Sequence, residues 1–166
     1  MDSESLFIEN IKKPTLDACK KYNCKCPSVI IAIACKISNY GLNTLSLVNN
    51  LYNFPSIDWN GKVVSRSTQN IYDNKDACTE YGAALYRAYD SRSESIDDFV
   101  KYIMEANYNG RLIYPVQDVD DYKKFIRILT EHDFFKRFLG IINDIIYIDR
   151  IVALVEKYNL YTLDKE

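Results

Sequence analysis

Residues 26–54 read CPSVIIAIACKISNYGLNTLSLVNNLYNF, and the helix inside this stretch decides the fold. Pro27 suits the first turn of a helix, where its missing N–H costs nothing and its fixed φ is already helical. From Val29 to Cys35 every side chain is apolar or small, so the helix has no polar face to turn toward water. A helix of that kind is wrapped by other elements, which makes this segment the centre of the fold. Beyond it, Thr44 is placed to cap a short helix through Leu45, Val48 and Leu51 that ends near NNLYNF.

Working outward, Phe7, Ile8, Ile11, Leu16, Cys19 and Tyr22 keep a helical rhythm, with Pro14 predicting a kink or restart. From Trp59 to Tyr89 the spacing turns irregular and locally alternating. Asn60-Gly61 and Asp73-Asn74 are turn signals beside KVVSRST and YGAALYRAY, so a small β-hairpin region is expected over about 59–89. Ser91-Arg92-Ser93-Glu94 has the form of a capping box before Ile96, Phe99, Val100 and Ile103 on one face, and Asn109-Gly110 is read as the end of that helix. Further helices are expected over about 120–129, through Phe134, Phe135 and Phe138, and from about Asp144 to Tyr158 with Asn159 as the stop. The fold class is α+β, mainly α, with a small β-hairpin lobe, and residues 1–166 read as a single domain.

The chain has 166 residues, 48% hydrophobic and 27% charged, which is globular composition and enough for one core. A net charge of −2 excludes the broad cationic footprint that nucleic acid needs, so no nucleic-acid partner is expected. The opening MDSESLFIENIKK has neither a basic start nor an apolar core of a secretory signal. The run from Val29 to Cys35 is far below the roughly 20 residues that span a bilayer. Synthesis in a cytoplasm and no membrane span are the expectations. The five cysteines, Cys19, Cys24, Cys26, Cys35 and Cys78, are an odd number, and a disulfide framework is not expected. C-x4-C-x-C lacks zinc spacing and His132 is the one histidine, so no metal, no cofactor and no Cys-His nucleophile are predicted. The 14 tyrosines fit a chain biased toward Asn, Ile, Lys and Tyr, although tyrosine can also stack on sugars.

Several blocks, in order, carry a resemblance: FIENIKKPTLDACKKYN, PSVIIAIACKISNYG, NNLYNF, WNGK, YRAYDSRSESIDDFVKYI and YIDRIVALVEKYNLYTLD. The second matches, without a gap, the pattern Pro-Ser-x-x-Ile-Ala-Gln-Ala-x-Leu-Glu-Ser-Gly-Trp-Gly. Together, from Phe7 to Asp164, they resemble the glucosaminidase family of bacterial cell-wall hydrolases, glycoside hydrolase family 73, within the lysozyme-like superfamily. The resemblance implies a lysozyme-like helical fold with a β-lobe and a peptidoglycan substrate.

It also implies where the chemistry should be. Glycoside hydrolysis needs a proton donor at the leaving oxygen and commonly a second carboxylate. The resemblance puts the donor at Ile37, with Lys36 before it, and Ile has no proton to give; losing a general acid alone typically costs about 10²- to 10⁴-fold in rate. The second position, Glu of a Thr-x-Glu-Tyr motif, falls on Asn70, which cannot act as a base. The third, the Tyr opening Tyr-Ala-Thr-Asp-Pro, falls on Ile141, with Asp144 as the one match and Phe134 as another placement. Glu80 is the fallback carboxylate, with Asp58, Asp73 and Asp76 less favoured. Tyr40, Asn49, Asn50, Tyr52, Trp59 and Asn70 stand at cleft positions suited to sugar binding or to holding the lobes together. The expected function is a catalytically inactive glucosaminidase-like domain that binds peptidoglycan glycan or a protein partner. Delivery inside a phage-tail-like, contractile or spore assembly would fit it. The alternative is an active endo-β-N-acetylglucosaminidase with relocated acids.

Overall fold

The central helix α2 (Pro27–Ser38) has twelve residues, and Lys36 alone among them is not buried. In this computed structural model, which describes residues 1–134, 136 and 144–166, it is enclosed by α1 (Ser3–Tyr22), α4 (Tyr122–Glu131), α5 (Asp144–Lys157) and the C-terminal 3₁₀ segment Leu160–Lys165. Its N-terminus has no cap of its own, because Cys26 precedes it without a side-chain hydrogen bond. Asp164 supplies the cap from the far end of the chain: its carboxylate accepts from the Ser28 backbone N–H at 2.9 Å and from Ser28 Oγ at 2.6 Å. The orphan amide of a helix start is thereby satisfied by a long-range contact. Burial pushes the Asp164 carboxyl above its usual range, against the pull of those two bonds.

α2 ends where Asn39 and Tyr40 both adopt left-handed conformations, φ 49° and 54°, with their N–H groups turned back to the Cys35 carbonyl. Gly41 follows at φ 79°, and a Cβ there would lie 2.9 Å from both Arg92 and Phe7, so this turn requires glycine.

α1 runs unbroken through Pro14, so the helix does not restart there. The carbonyl left without a donor is that of exposed Asn10, while Thr15 Oγ1 bonds back to the Ile11 carbonyl at 2.7 Å. The short helix after α2 is a 3₁₀ segment, Thr44–Val48, and its cap is Asn43 rather than Thr44: Asn43 Oδ1 accepts from Ser46 N at 3.0 Å and Ser46 Oγ at 2.8 Å.

The β-lobe is a three-stranded antiparallel sheet of β1 (Val63–Ser65), β2 (Ile71–Tyr72) and β3 (Leu85–Arg87), in the order β2-β1-β3. Val64 faces Ile71 on one side and Tyr86 on the other. α3 (Arg92–Glu105) then packs on α1, and its start departs slightly from a capping box. Ser91 Oγ accepts from Glu94 N, but the Glu94 carboxylate takes the N–H of Asp90, one residue further back. Asn109-Gly110 does not end α3, which stops at Glu105. With φ values of 52° and 78° it forms the turn between β4 (Asn107–Tyr108) and β5 (Arg111–Leu112), as a two-residue hairpin loop with paired positive φ demands. The core joins α1 to α5 around α2, with Tyr52 stacked flat on Phe99 at 3.8 Å. Among the described residues no helix is long and apolar enough to cross a membrane.

Candidate functional site

Position 37 lies at the end of α2, where the helix leaves the core for the turn that leads to the β-lobe. Ile37 is 9% exposed and belongs to the main apolar cluster. Its carbonyl accepts from Asn43 Nδ2 at 3.0 Å, so the residue that caps the following 3₁₀ segment also fixes this turn. Nothing in the Ile37 side chain can ionise, donate or accept.

Position 70 lies just before β2, and Asn70 is exposed. Its carbonyl accepts from Ser65 N and its N–H is donated to Thr68 Oγ1, which tightens the β1–β2 turn. The carboxylate of Glu80, ten residues on, reaches the same place. Ser65 Oγ donates to it at 2.9 Å, Thr68 Oγ1 at 2.8 Å and Tyr72 Oη at 2.5 Å. The Tyr72 bond above all, joined by those of Thr68 and Ser65, holds the Glu80 carboxyl below its usual range. An ionised carboxylate with its lone pairs engaged by hydroxyls is a poor proton donor, since a general acid needs the opposite shift. What it does in the fold is pin the loop carrying residues 78–81 to the β1–β2 hairpin.

The remaining positions form a scaffold. Asn49 ends the 3₁₀ segment at φ 61° and donates from Nδ2 to the Tyr89 carbonyl at 3.0 Å. Asn50 is fully buried: Nδ2 donates to the Phe54 and Arg87 carbonyls at 2.9 and 2.8 Å, and Oδ1 accepts from Phe54 N at 2.9 Å. Tyr52 is fully buried on Phe99. Tyr40 is half-buried, edge-on to Phe7 and to Tyr158, and desolvation pushes its phenol up. Trp59 donates Nε1 to the Lys62 carbonyl at 2.8 Å and folds its ring over Gly61, where a Cβ would come within 2.6 Å of the indole. The spacing Trp-x-Gly-Lys is thus a packing motif here. Asp58, Asp73 and Asp76 are exposed, and Phe134 is fully buried. Ile141 and the side chain of Asp144 lie outside the described residues.

One cluster escaped the sequence reading. Arg87 is 6% exposed and lies 3.7 Å above the Phe54 ring. It donates to the Pro55 carbonyl at 3.0 Å, the Ile57 carbonyl at 2.6 Å and Asp98 at 2.7 Å. Tyr89 donates to the same Asp98 oxygen, and burial pushes its phenol up. The arginine ties β3, the 54–59 loop and α3 into one joint. YRAY could have signalled it only through the rarity of an arginine between apolar residues in a strand.

A helical lobe built on one fully wrapped helix, followed by a small antiparallel sheet and returning helices, defines the lysozyme-like class. The glucosaminidase family model, described as mannosyl-glycoprotein endo-beta-N-acetylglucosaminidase, matches residues 12–160, and the chain belongs to that family. The chain is 27% identical to the exo-glucosaminidase LytG of Bacillus subtilis over 99% of its own length and 55% of that protein's, so it spans about half of this relative. In structure it is similar to the catalytic domain of the autolysin Auto from Listeria monocytogenes, with a TM-score of 0.73 at 24% identity over 98% of this chain and 88% of that one. The glycoside hydrolase domain of FlgJ from Salmonella typhimurium gives a TM-score of 0.67 at 16% identity over 98% and 91%. The protein is therefore a glucosaminidase-family domain with a lysozyme-like fold.

Proposed function

We propose that this glucosaminidase domain no longer cleaves glycan and acts instead by binding, to peptidoglycan or to a protein partner within a larger assembly. The observation that carries the reading is Ile37, a buried apolar side chain at the position where the family resemblance requires a proton donor. Glu80 adds support, because a carboxyl held below its usual range and occupied by Ser65, Thr68 and Tyr72 does not replace a general acid. Asn50 and Tyr52, spent on lobe packing, leave the fold intact without the reaction. Delivery by a phage-tail-like, contractile or spore assembly belongs to the same proposal.

Dye release from labelled cell walls, run beside sedimentation with purified sacculi, separates the outcomes. The reading expects no release above the protein-free control, with sedimentation competed by soluble glycan if the partner is glycan and absent if it is protein. Dye release that disappears in Glu80→Gln would establish the competing reading, an active hydrolase with relocated carboxylates.

A further inference from the structure

The chain leaves the family pattern at five positions from 33 to 40, and two of them are adjacent in the last turn of α2. Beside Ile37, position 36 carries lysine where the pattern has leucine. Lys36 is the one residue of α2 that escapes burial, and it opens onto a groove of about 340 Å³ between the end of α2 and α5. Arg150 and Lys157 line the same groove, and none of its described lining residues is acidic. For a chain of net charge −2, three cations around one concavity is a local reversal of sign.

Lys157 is partly neutralised by Glu4 at 3.4 Å. Lys36 and Arg150 have no ion-pair partner among the described residues, although Lys36 also lies 5.9 Å from the Tyr147 ring centroid. A helix C-terminus favours a cation through its dipole, which accounts for Lys36 in the last turn of α2 and Lys157 in the last turn of α5. It does not account for Arg150, in the middle of α5. The rest of the wall includes the Tyr40 ring and Leu154, an apolar surface against which an organic body can pack.

We propose that this groove binds an anionic group, a carboxylate or a phosphate, carried on an organic body that rests against Tyr40 and Leu154. The Arg150 fork offers paired donors and Lys36 a point charge, the two cationic forms that recognise such oxyanions. The anion's origin in a cell-wall polymer rests on the function proposed above; the site itself does not.

The full chain is titrated at low salt with two probes, a muramoyl dipeptide with free carboxylates and an oligomer of glycerol phosphate. Saturable binding of either probe is expected, identifying the source by which one binds. That binding should weaken about tenfold or more in the double variant Lys36→Gln/Arg150→Gln, and it should weaken with rising salt. Both side chains reach the surface, so thermal unfolding of the double variant should match the parent. Failure of both probes to saturate, or an unchanged Kd in the double variant, overturns the site. A chain that binds a probe but not sacculi keeps this groove and refutes peptidoglycan binding; the converse refutes the groove alone.

Discussion

The turn at Ile37 and the hairpin at Asn70 are the two places where the family resemblance implies the acidic residues of one reaction, and the side chains there differ in kind. At 37 the side chain is apolar and has become part of the core. At 70 the side chain is an amide, but a carboxylate from Glu80 stands beside it, ionised and tied down by hydroxyls. The contrast shows that charge is cheap to keep on an exposed hairpin, where water and hydroxyls solvate it, and costly to keep at the end of a wrapped helix unless function demands it. The proposed loss of the reaction would remove that demand first at the buried position.

Restoring a carboxylate at the buried position sharpens the comparison most. Ile37→Glu should destabilise the domain by about 3–4 kcal/mol at pH 7, since burial raises the glutamate's folded pKa by several units. Because that folded value lies above the unfolded one, the penalty should be small below about pH 4.3 and should grow as pH rises toward the raised value. Urea unfolding from pH 4 to 8 measures it; a flat profile would mean that the turn at 37 is open to water.

Next comes the link between the two regions. Asn50→Ala should cost about 2–3 kcal/mol, because it leaves the Phe54 N–H and the Arg87 carbonyl without their buried partner, while the Phe54 carbonyl keeps the Arg87 N–H. A loss below 1 kcal/mol in the same assay would show that the lobes are held elsewhere. Asp164→Ala, which uncaps α2 at the end opposite Ile37, should cost about 1 kcal/mol, and hydrogen exchange should rise at the Ser28 amide specifically. The smallest effect belongs to the exposed hairpin. Glu80 has a folded pKa below its unfolded one, so its stabilisation is present above about pH 4.3 and is lost as pH falls through the depressed value. Glu80→Gln should lower the melting temperature slightly at pH 7 and flatten the acid side of the stability profile. An unchanged acid limb would remove Glu80 from the role assigned to it.

Much of this was readable in advance because burial on all faces leaves a mark in the sequence. The run Val29–Cys35 predicts a wrapped helix, and the single inward faces of α3 and α5 show in Ile96, Phe99 and Val100 and in Ile151 and Val155. What stayed hidden depends on groups far apart in the chain. Asp164 caps a helix 136 residues away, and Glu80 meets Asn70 only because β2 and the following loop fold back on β1. Local signals also misled where packing overrode them. Pro14 sits inside a helix whose buried face, Phe7, Ile8, Ile11 and Ala18, is held by α2 and α3. Asn109-Gly110 was a true turn signal assigned to the wrong element, since a helix end and a two-residue hairpin both favour positive φ.

The most direct test is release of reducing sugar ends from purified peptidoglycan by the pure domain, followed from pH 4 to 8. With no proton donor at position 37, the amount released should equal that of the protein-free control at every pH. Release above that control, with a pH optimum and abolished by Glu80→Gln, would contradict the account.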